Sequence, residues 1–157
     1  MSPEQELGRI LREKRLTIAI AESVTGGLVG DIVTNVPGSS RYFEGAITTY
    51  SDGSKIKLLK VKEATLRCYG AVSEECAREM AEGVREAFGA SIGISVTGIA
   101  GPTGATFGKP VGLVCFAYCN GPVCITEKKT FSGGRMDIKR AAAEHLISFA
   151  LEALKED

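Results

Sequence analysis

The chain has 157 residues, 44% of them apolar, and its 19 basic and 19 acidic side chains give a formal net charge of zero. This length suits one domain, residues 1–157, with a sizeable core. The balanced charge, with no block of one sign, argues against binding to nucleic acid or to a membrane surface. The polar N-terminus does not resemble a signal peptide, and no apolar run could span a bilayer, so we expect a cytoplasmic protein.

Five cysteines are scattered along the chain without a CxxC pair, namely Cys68, Cys76, Cys115, Cys119 and Cys124. An odd, scattered set is typical of reduced thiols in the cytosol. Cys115 and Cys119 would share one face of a strand with no histidine nearby. The sequence therefore predicts neither a disulfide nor a metal site.

The first half of the chain alternates helix and strand signals. The segment Ser2-Pro3-Glu4-Gln5 is a capping box, and it predicts a helix whose apolar face carries Leu7, Ile10 and Leu11. An apolar run over 16–21 predicts a buried strand. The next predicted elements are a helix over about 28–35, a strand over 45–50 and a short helix over 54–59.

The second half begins with Ser73, which predicts the cap of a helix that ends at Gly89. A strand over 92–96 leads into a glycine-rich loop over 97–110. The segment Asn120-Gly121-Pro122 predicts a hairpin between strands 111–119 and 123–131. A last helix covers about 136–155. This order predicts an α/β fold with a mixed sheet.

Three segments combine a strand end with glycines, at 21–27, 96–104 and 131–135. Ligands of open α/β sheets bind at strand ends beside helix N-termini, so these segments are candidates for one site. The only histidine, His145, lies in the middle of the last helix, where we expect a partly buried structural residue. A Ser-His-Asp triad therefore lacks a base, and a zinc site with histidine ligands is excluded.

Ser23, in AESVTGG, follows the first strand and precedes a helix. Its hydroxyl could act as a nucleophile, with the backbone N–H groups of Thr25, Gly26 and Gly27 stabilising an oxyanion. The alternative is a helix cap followed by a tight glycine turn, and position alone favours the cap.

Lys55 follows the second strand and could serve as the base if burial lowers its pKa. Tyr50, the last residue of that predicted strand, could hydrogen-bond to the serine or to the lysine. The alternative for Lys55 is an ordinary solvated lysine, like its neighbours Lys57 and Lys60.

Two further segments could hold a substrate. The loop SVTGIAGPTG carries Thr97, Gly98 and Gly101, and its exposed N–H groups suit an anionic or amide ligand, although it could also be a plain surface loop. Arg135, at the start of the last helix, could bind a phosphate. The alternative is an ordinary surface arginine.

Together, the segments AESVTGG, VPGSSRYFEGAITTYSDGSK, YGAVSEECAREMAEG, SVTGIAGPTG, KPVG and FSGGR resemble the CinA C-terminal-domain family in order and spacing. The resemblance covers nearly the whole chain. It implies a three-layer α/β/α domain with a mixed sheet, and hydrolysis of the carboxamide of nicotinamide mononucleotide without a metal or organic cofactor. The larger family members carry an additional N-terminal domain that nothing in this chain matches.

The same resemblance implies roles for individual residues. Ser23 would be the nucleophile, Lys55 the general base with Tyr50 beside it, and Arg135 would contact the substrate. The loop from Thr97 through Gly98 and Gly101 would line the pocket, as would the turn after Ser23. The expected partner is a small nucleotide, and a homo-oligomer is left open.

The sequence departs from the family pattern at several positions near these segments. Val24 stands where many members have Cys, Asp52 where many have Asn, and Thr103 and Gly134 where many have Asp. A carboxylate at Asp52 would raise the pKa of Lys55 and oppose its role as a base. The alternative function is a nucleotide-binding or protein-interaction module of the same fold with weak catalysis.

Overall fold

The computed structural model describes residues 1–157 and contains six α-helices, a short 3-10 turn and five strands. In chain order they are α1 (Pro3–Lys14), β1 (Ile18–Glu22), α2 (Leu28–Thr34), the 3-10 turn (Ser39–Arg41), β2 (Phe43–Thr48), α3 (Asp52–Leu59), α4 (Glu63–Tyr69), α5 (Glu74–Phe88), β3 (Ile92–Gly98), β4 (Leu113–Cys119), β5 (Cys124–Thr130) and α6 (Arg135–Lys155).

The five strands form one sheet in the order β2-β1-β3-β4-β5. The first three strands run parallel, whereas β4 is antiparallel to both β3 and β5. The predicted α/β fold with a mixed sheet is therefore confirmed.

Alternate residues of the central strand β1 face two separate helical layers. Ile18 and Ile20 belong to a core of 25 buried residues with α1, α2 and α6. Ala19 and Ala21 instead face Met80 and other residues of α5, which has α3 and α4 packed beside it. Because every residue of β1 is buried, the sheet is covered on both faces, and the three-layer α/β/α arrangement is confirmed. None of the helices is long and apolar enough to cross a bilayer.

Gly83 allows α5 to pack closely against the end of α3. A Cβ atom at this position would lie 1.9 Å from the carbonyl oxygen of Leu59, so any side chain would push the two helices apart. This contact fixes α3, and with it Lys55, against the layer that α5 forms.

The local signals in the sequence place most element boundaries well. Both bonds of the predicted capping box at Ser2 are present, and Ser73 and Gly89 are the caps of α5. The second strand begins at Phe43, two residues before the predicted start at Gly45. Gly45 follows a bulge in the pairing with β1, so this glycine marks an irregularity inside the strand. Helix α4 was not predicted.

The expectation of five reduced thiols is wrong for one pair, because Cys119 and Cys124 form a disulfide. The hairpin register places them directly opposite each other on β4 and β5, with Cα atoms 4.2 Å apart. Their spacing of five residues does not resemble a CxxC motif, so the pairing follows only once the turn is known. Cys68, Cys76 and Cys115 remain free.

Candidate active site

The candidate site lies at the edge of the sheet where β1, β2 and β3 all end. The chain leaves β1 toward β2 on one side and later returns to β3 on the other, so the end of β1 is a topological switch point. Strand β5 ends at the same edge, since Thr130 pairs with Leu113 at the start of β4. All three predicted segments, 21–27, 96–104 and 131–135, therefore meet at this edge.

Ser23 and Lys55, which are 32 residues apart, meet just beyond β1. The Nζ atom of Lys55 donates to Ser23 Oγ over 3.0 Å and to the carbonyl oxygen of Thr49 over 2.7 Å. Ser23 is 7% exposed and Lys55 only 1%. The interpretation of Lys55 as a solvated surface lysine is therefore wrong.

Burial lowers the pKa of Lys55 because the charged ammonium loses its hydration. The nearby Cys76 thiol and the Asp52 carboxylate act in the opposite direction, as expected for Asp52, but desolvation outweighs them. Lys55 forms no ion pair with any carboxylate. The site therefore favours a neutral amine at a lower pH than an exposed lysine would allow.

The position of Lys55 follows from the cap of α3. Ser51 and Ser54 exchange both hydrogen bonds of a capping box, so the helix begins at Asp52. Lys55 then falls in the first turn, and helical side chains lean toward the N-terminus of their helix. This direction carries the amine back over the end of the sheet toward Ser23.

The predicted oxyanion donors need correction at two of three positions. The N–H of Gly26 donates to the carbonyl oxygen of Ser23 over 3.1 Å, and the N–H of Gly27 donates to Glu22 Oε1 over 3.0 Å. The N–H groups of Val24 and Thr25 donate no hydrogen bond within the chain. A donor directly after the nucleophile is a common source of oxyanion stabilisation, so these two amides are the better candidates.

Glu22 is a site residue that the sequence analysis missed. Its fully buried carboxylate accepts from the Thr25 hydroxyl over 2.6 Å and from the N–H groups of Gly27, Val29 and Gly30 over 2.9–3.0 Å. It thereby shapes the turn that holds Ser23 and caps α2 from outside the helix. The available signal was an acidic residue at the end of a buried strand, directly before a Gly-Gly turn.

Arg135 connects two loops at the rim of the site. Its guanidinium donates to the carbonyl oxygen of Gly101 over 2.7 Å and to the Tyr50 hydroxyl over 2.8 Å. Tyr50 is 63% exposed, and its hydroxyl forms neither of the hydrogen bonds considered for it, to Ser23 or to Lys55. The one hydrogen bond of its hydroxyl is to Arg135.

Thr97 and Gly98 have structural contacts that explain their residue types. The Thr97 hydroxyl donates to the carbonyl oxygen of Ala71 over 3.0 Å and is buried. A Cβ atom on Gly98 would lie 2.8 Å from a methyl group of Val114, so the glycine allows β3 and β4 to pair closely. Of the three predicted loop residues, only Gly101 accepts a hydrogen bond from another predicted site residue, Arg135.

One cluster offers ligand atoms of the kind that metals use, formed by Glu82, Cys119 and Cys124. It lies at the hairpin turn, at the opposite edge of the sheet from Ser23, and its two sulfurs are joined to each other. His145 lies partly buried on α6 against Phe116 and contacts Glu127, as expected for a structural residue.

Comparison with known proteins gives a consistent picture. A family profile described as the CinA C-terminal domain matches residues 1–156. CinA-like proteins of Desulforapulum autotrophicum and Endomicrobium trichonymphae are 49% and 46% identical over 132 and 148 residues. Those matches cover 84% and 94% of this chain but only 31% and 34% of the relatives, so the chain spans about a third of their length.

Two solved structures share the fold over almost their full length. A competence-damaged protein (CinA) superfamily protein from Klebsiella pneumoniae has a TM-score of 0.95 at 29% identity, covering 99% of this chain and 97% of that one. A competence/damage inducible protein from Agrobacterium tumefaciens has a TM-score of 0.88 at 33% identity, with the same coverage. The strand-end site, the sequence match and the shared fold together show that this chain belongs to the CinA C-terminal-domain family.

Proposed function

We propose that this chain is an amidohydrolase that converts nicotinamide mononucleotide and water to nicotinate mononucleotide and ammonia. The observation that carries the proposal is the buried contact between Lys55 Nζ and Ser23 Oγ at 3.0 Å. Burying a lysine without a counterion is costly, and a desolvated amine beside a hydroxyl is the arrangement that activates a serine nucleophile. The choice of substrate comes from the family resemblance.

In the first half-reaction, Ser23 Oγ attacks the carboxamide carbon as its proton moves to the neutral amine of Lys55. The carbonyl oxygen becomes an oxyanion, within reach of the N–H groups of Val24 and Thr25. Collapse of this tetrahedral intermediate breaks the C–N bond. The leaving nitrogen takes the proton from Lys55 and departs as ammonia, so Ser23 holds an acyl ester.

In the second half-reaction, a water molecule takes the place of ammonia. Lys55 accepts one of its protons as the water oxygen attacks the ester carbon. The intermediate then expels Ser23 Oγ, which regains its proton from Lys55. The product is the carboxylic acid of the nucleotide, which ionises in water, and the dyad returns to its starting state.

The rim residues would serve the substrate rather than the proton transfers. Arg135 hydrogen-bonds to both Tyr50 and the Gly101 turn, so it fixes these two parts of the rim relative to each other. A bound substrate could use the guanidinium donors that these two contacts leave free. The competing function, a binding module with weak catalysis, would use the same rim without the dyad.

Release of ammonia from nicotinamide mononucleotide by the purified chain tests the proposal. We expect Ser23→Ala and Lys55→Met each to reduce kcat by at least about 100-fold, the scale of a lost acid–base or nucleophilic group. Ser40→Ala and Lys57→Met are matched controls, because both wild-type side chains are exposed. Wild-type protein that binds the nucleotide but releases no ammonia would support the binding module instead.

A further inference from the structure

If the proposed function is right, the substrate brings a phosphate to a site whose anion-binding group has to be identified. The N-termini of α2, α3 and α6, the cations Arg135 and Lys139, and several loops lie near Ser23. The first turn of α3 already carries the Asp52 carboxylate, which disfavours a second anion there. The hydrogen bonds of the other groups decide which of them can still receive a phosphate.

The N-terminus of α2 is already occupied. Glu22 accepts from Gly27, Val29 and Gly30, while the N–H of Leu28 donates to the carbonyl oxygen of Thr25 over 3.2 Å. The first donors of this helix are therefore all used, and a carboxylate already lies against them. A phosphate there would meet a negative charge and no free donor.

The N-terminus of α6 is also unfavourable for an anion. The Asp137 carboxylate lies in its first turn and accepts from the N–H of Gly134 over 2.9 Å. Arg135, at the first position of this helix, is a cation, but its guanidinium is held between Gly101 and Tyr50. The guanidinium therefore cannot move away from the rim without losing these contacts, and its remaining donors serve whichever part of the substrate lies at the rim.

Lys139 is the remaining cation beside the nucleophile turn. It lies one helical turn after Arg135 on α6, and its Nζ atom is 3.8 Å from the position that a Cβ atom on Gly26 would occupy. Lys139 forms no ion pair with any carboxylate. Because Gly26 follows Ser23 by three residues, their Cα atoms are at most about 11 Å apart. The ammonium therefore lies beside the turn that carries the nucleophile.

We infer that Lys139 binds the phosphate of the substrate and makes the site selective for a phosphorylated nucleotide over the corresponding nucleoside. Gly26 contributes by having no side chain, because a Cβ atom there would come into van der Waals contact with the Lys139 amine, at 3.8 Å. The carboxamide and the phosphate lie at opposite ends of the nucleotide. A cation set apart from Ser23, rather than in contact with it, is what such a substrate requires.

The test compares Lys139→Met with wild type on nicotinamide mononucleotide and on nicotinamide riboside, which has the same carboxamide but no phosphate. We expect kcat/KM for the mononucleotide to fall about 10- to 100-fold, mainly through KM, the scale of one charge-assisted hydrogen bond. The value for the riboside should stay within about twofold. Lys139→Arg should retain most activity, and Arg140→Gln, on an exposed neighbour, is the control.

A second readout separates this inference from the proposed function. Calorimetric binding of the mononucleotide to Ser23→Ala protein should weaken by the same factor when Lys139→Met is added. Lys139-dependent binding without ammonia release by wild type would refute the amidase and support the inference. Three outcomes would overturn the role of Lys139. They are equal losses of kcat/KM on both substrates in Lys139→Met, unchanged kcat/KM for the mononucleotide in that variant, and no binding of the mononucleotide to the protein.

Discussion

Replacing Glu22 by glutamine tests whether a buried charge holds the nucleophile turn in place. The wild-type carboxylate accepts four hydrogen bonds, three on Oε1 and one, from Gly30, on Oε2. Glutamine has nearly the same shape and keeps one carbonyl oxygen for the group of three. Its NH2 group would then face the N–H of Gly30, so two donors would point at each other.

The expected cost follows from these contacts. Losing one charge-assisted hydrogen bond inside the protein costs about 1.5–3 kcal/mol. Removing a negative charge from a buried helix N-terminus costs up to about 2 kcal/mol more. We therefore expect Glu22→Gln to lower the free energy of unfolding by about 1.5–5 kcal/mol, which for a chain of this size lowers Tm by roughly 3–20 °C.

Urea denaturation and thermal melting of the purified variant measure this change, with Asp31→Asn as the matched control. Asp31 is also an acidic residue in the first turn of α2, but its side chain is exposed and accepts no side-chain hydrogen bond within the helix. We expect Asp31→Asn to change stability by no more than about 1 kcal/mol. Ammonia release by Glu22→Gln should fall as well, because the same bonds orient Ser23.

Two outcomes would refute this reasoning. Glu22→Gln with the stability of wild type would show that the carboxylate is not needed as a charged acceptor. Equal destabilisation by Glu22→Gln and Asp31→Asn would show that only the general charge at the helix end matters, and not the bonds to the turn.

Three further predictions concern the dyad, the rim and the hairpin. Asp52→Asn removes a negative charge that raises the pKa of Lys55. The rising limb of the pH–rate profile should therefore move to lower pH, and a shift to higher pH would contradict the role of Lys55 as the base. Tyr50→Phe should lower kcat/KM by no more than about tenfold, because a proton-transfer group would cost about 100-fold or more. Reducing the Cys119–Cys124 disulfide should lower the free energy of unfolding by about 2 kcal/mol, because the bond closes only a short loop. Thiol titration of the denatured protein should count three thiols before reduction and five after. Five thiols without reductant would contradict the pairing.

Features that depend on a few neighbouring residues were predictable from the sequence. The caps of α1 and α5 and the hairpin turn are local, so the residue types alone indicate them. Helix α4 was missed because only Thr65 of its seven residues is buried, whereas α2, which is equally short, shows Val29 and Val33 on one apolar face. A helix that short and that exposed leaves little periodicity to detect.

The site was predictable only in part, for a related reason. Ser23 and Lys55 are indicated by resemblance, but their contact depends on parallel pairing between β1 and β2, which no local signal encodes. The role of Glu22 depends on backbone N–H groups, which every residue type carries equally. For the same reason, the sequence could not show that Gly26 and Gly27 use their own N–H groups elsewhere.

The two members of the dyad are held by different helical layers. Ser23 leads into α2, which packs with α1 and α6, whereas Lys55 belongs to α3, which packs against α5 on the other face of the sheet. Their hydrogen bond at 3.0 Å therefore spans the sheet edge and joins the two layers. A loosened state that kept its helices and strands, but let the layers slide by an ångström or two, would look native by far-UV circular dichroism and be inactive. If the proposed function is right, turnover therefore reports whether the two layers are docked.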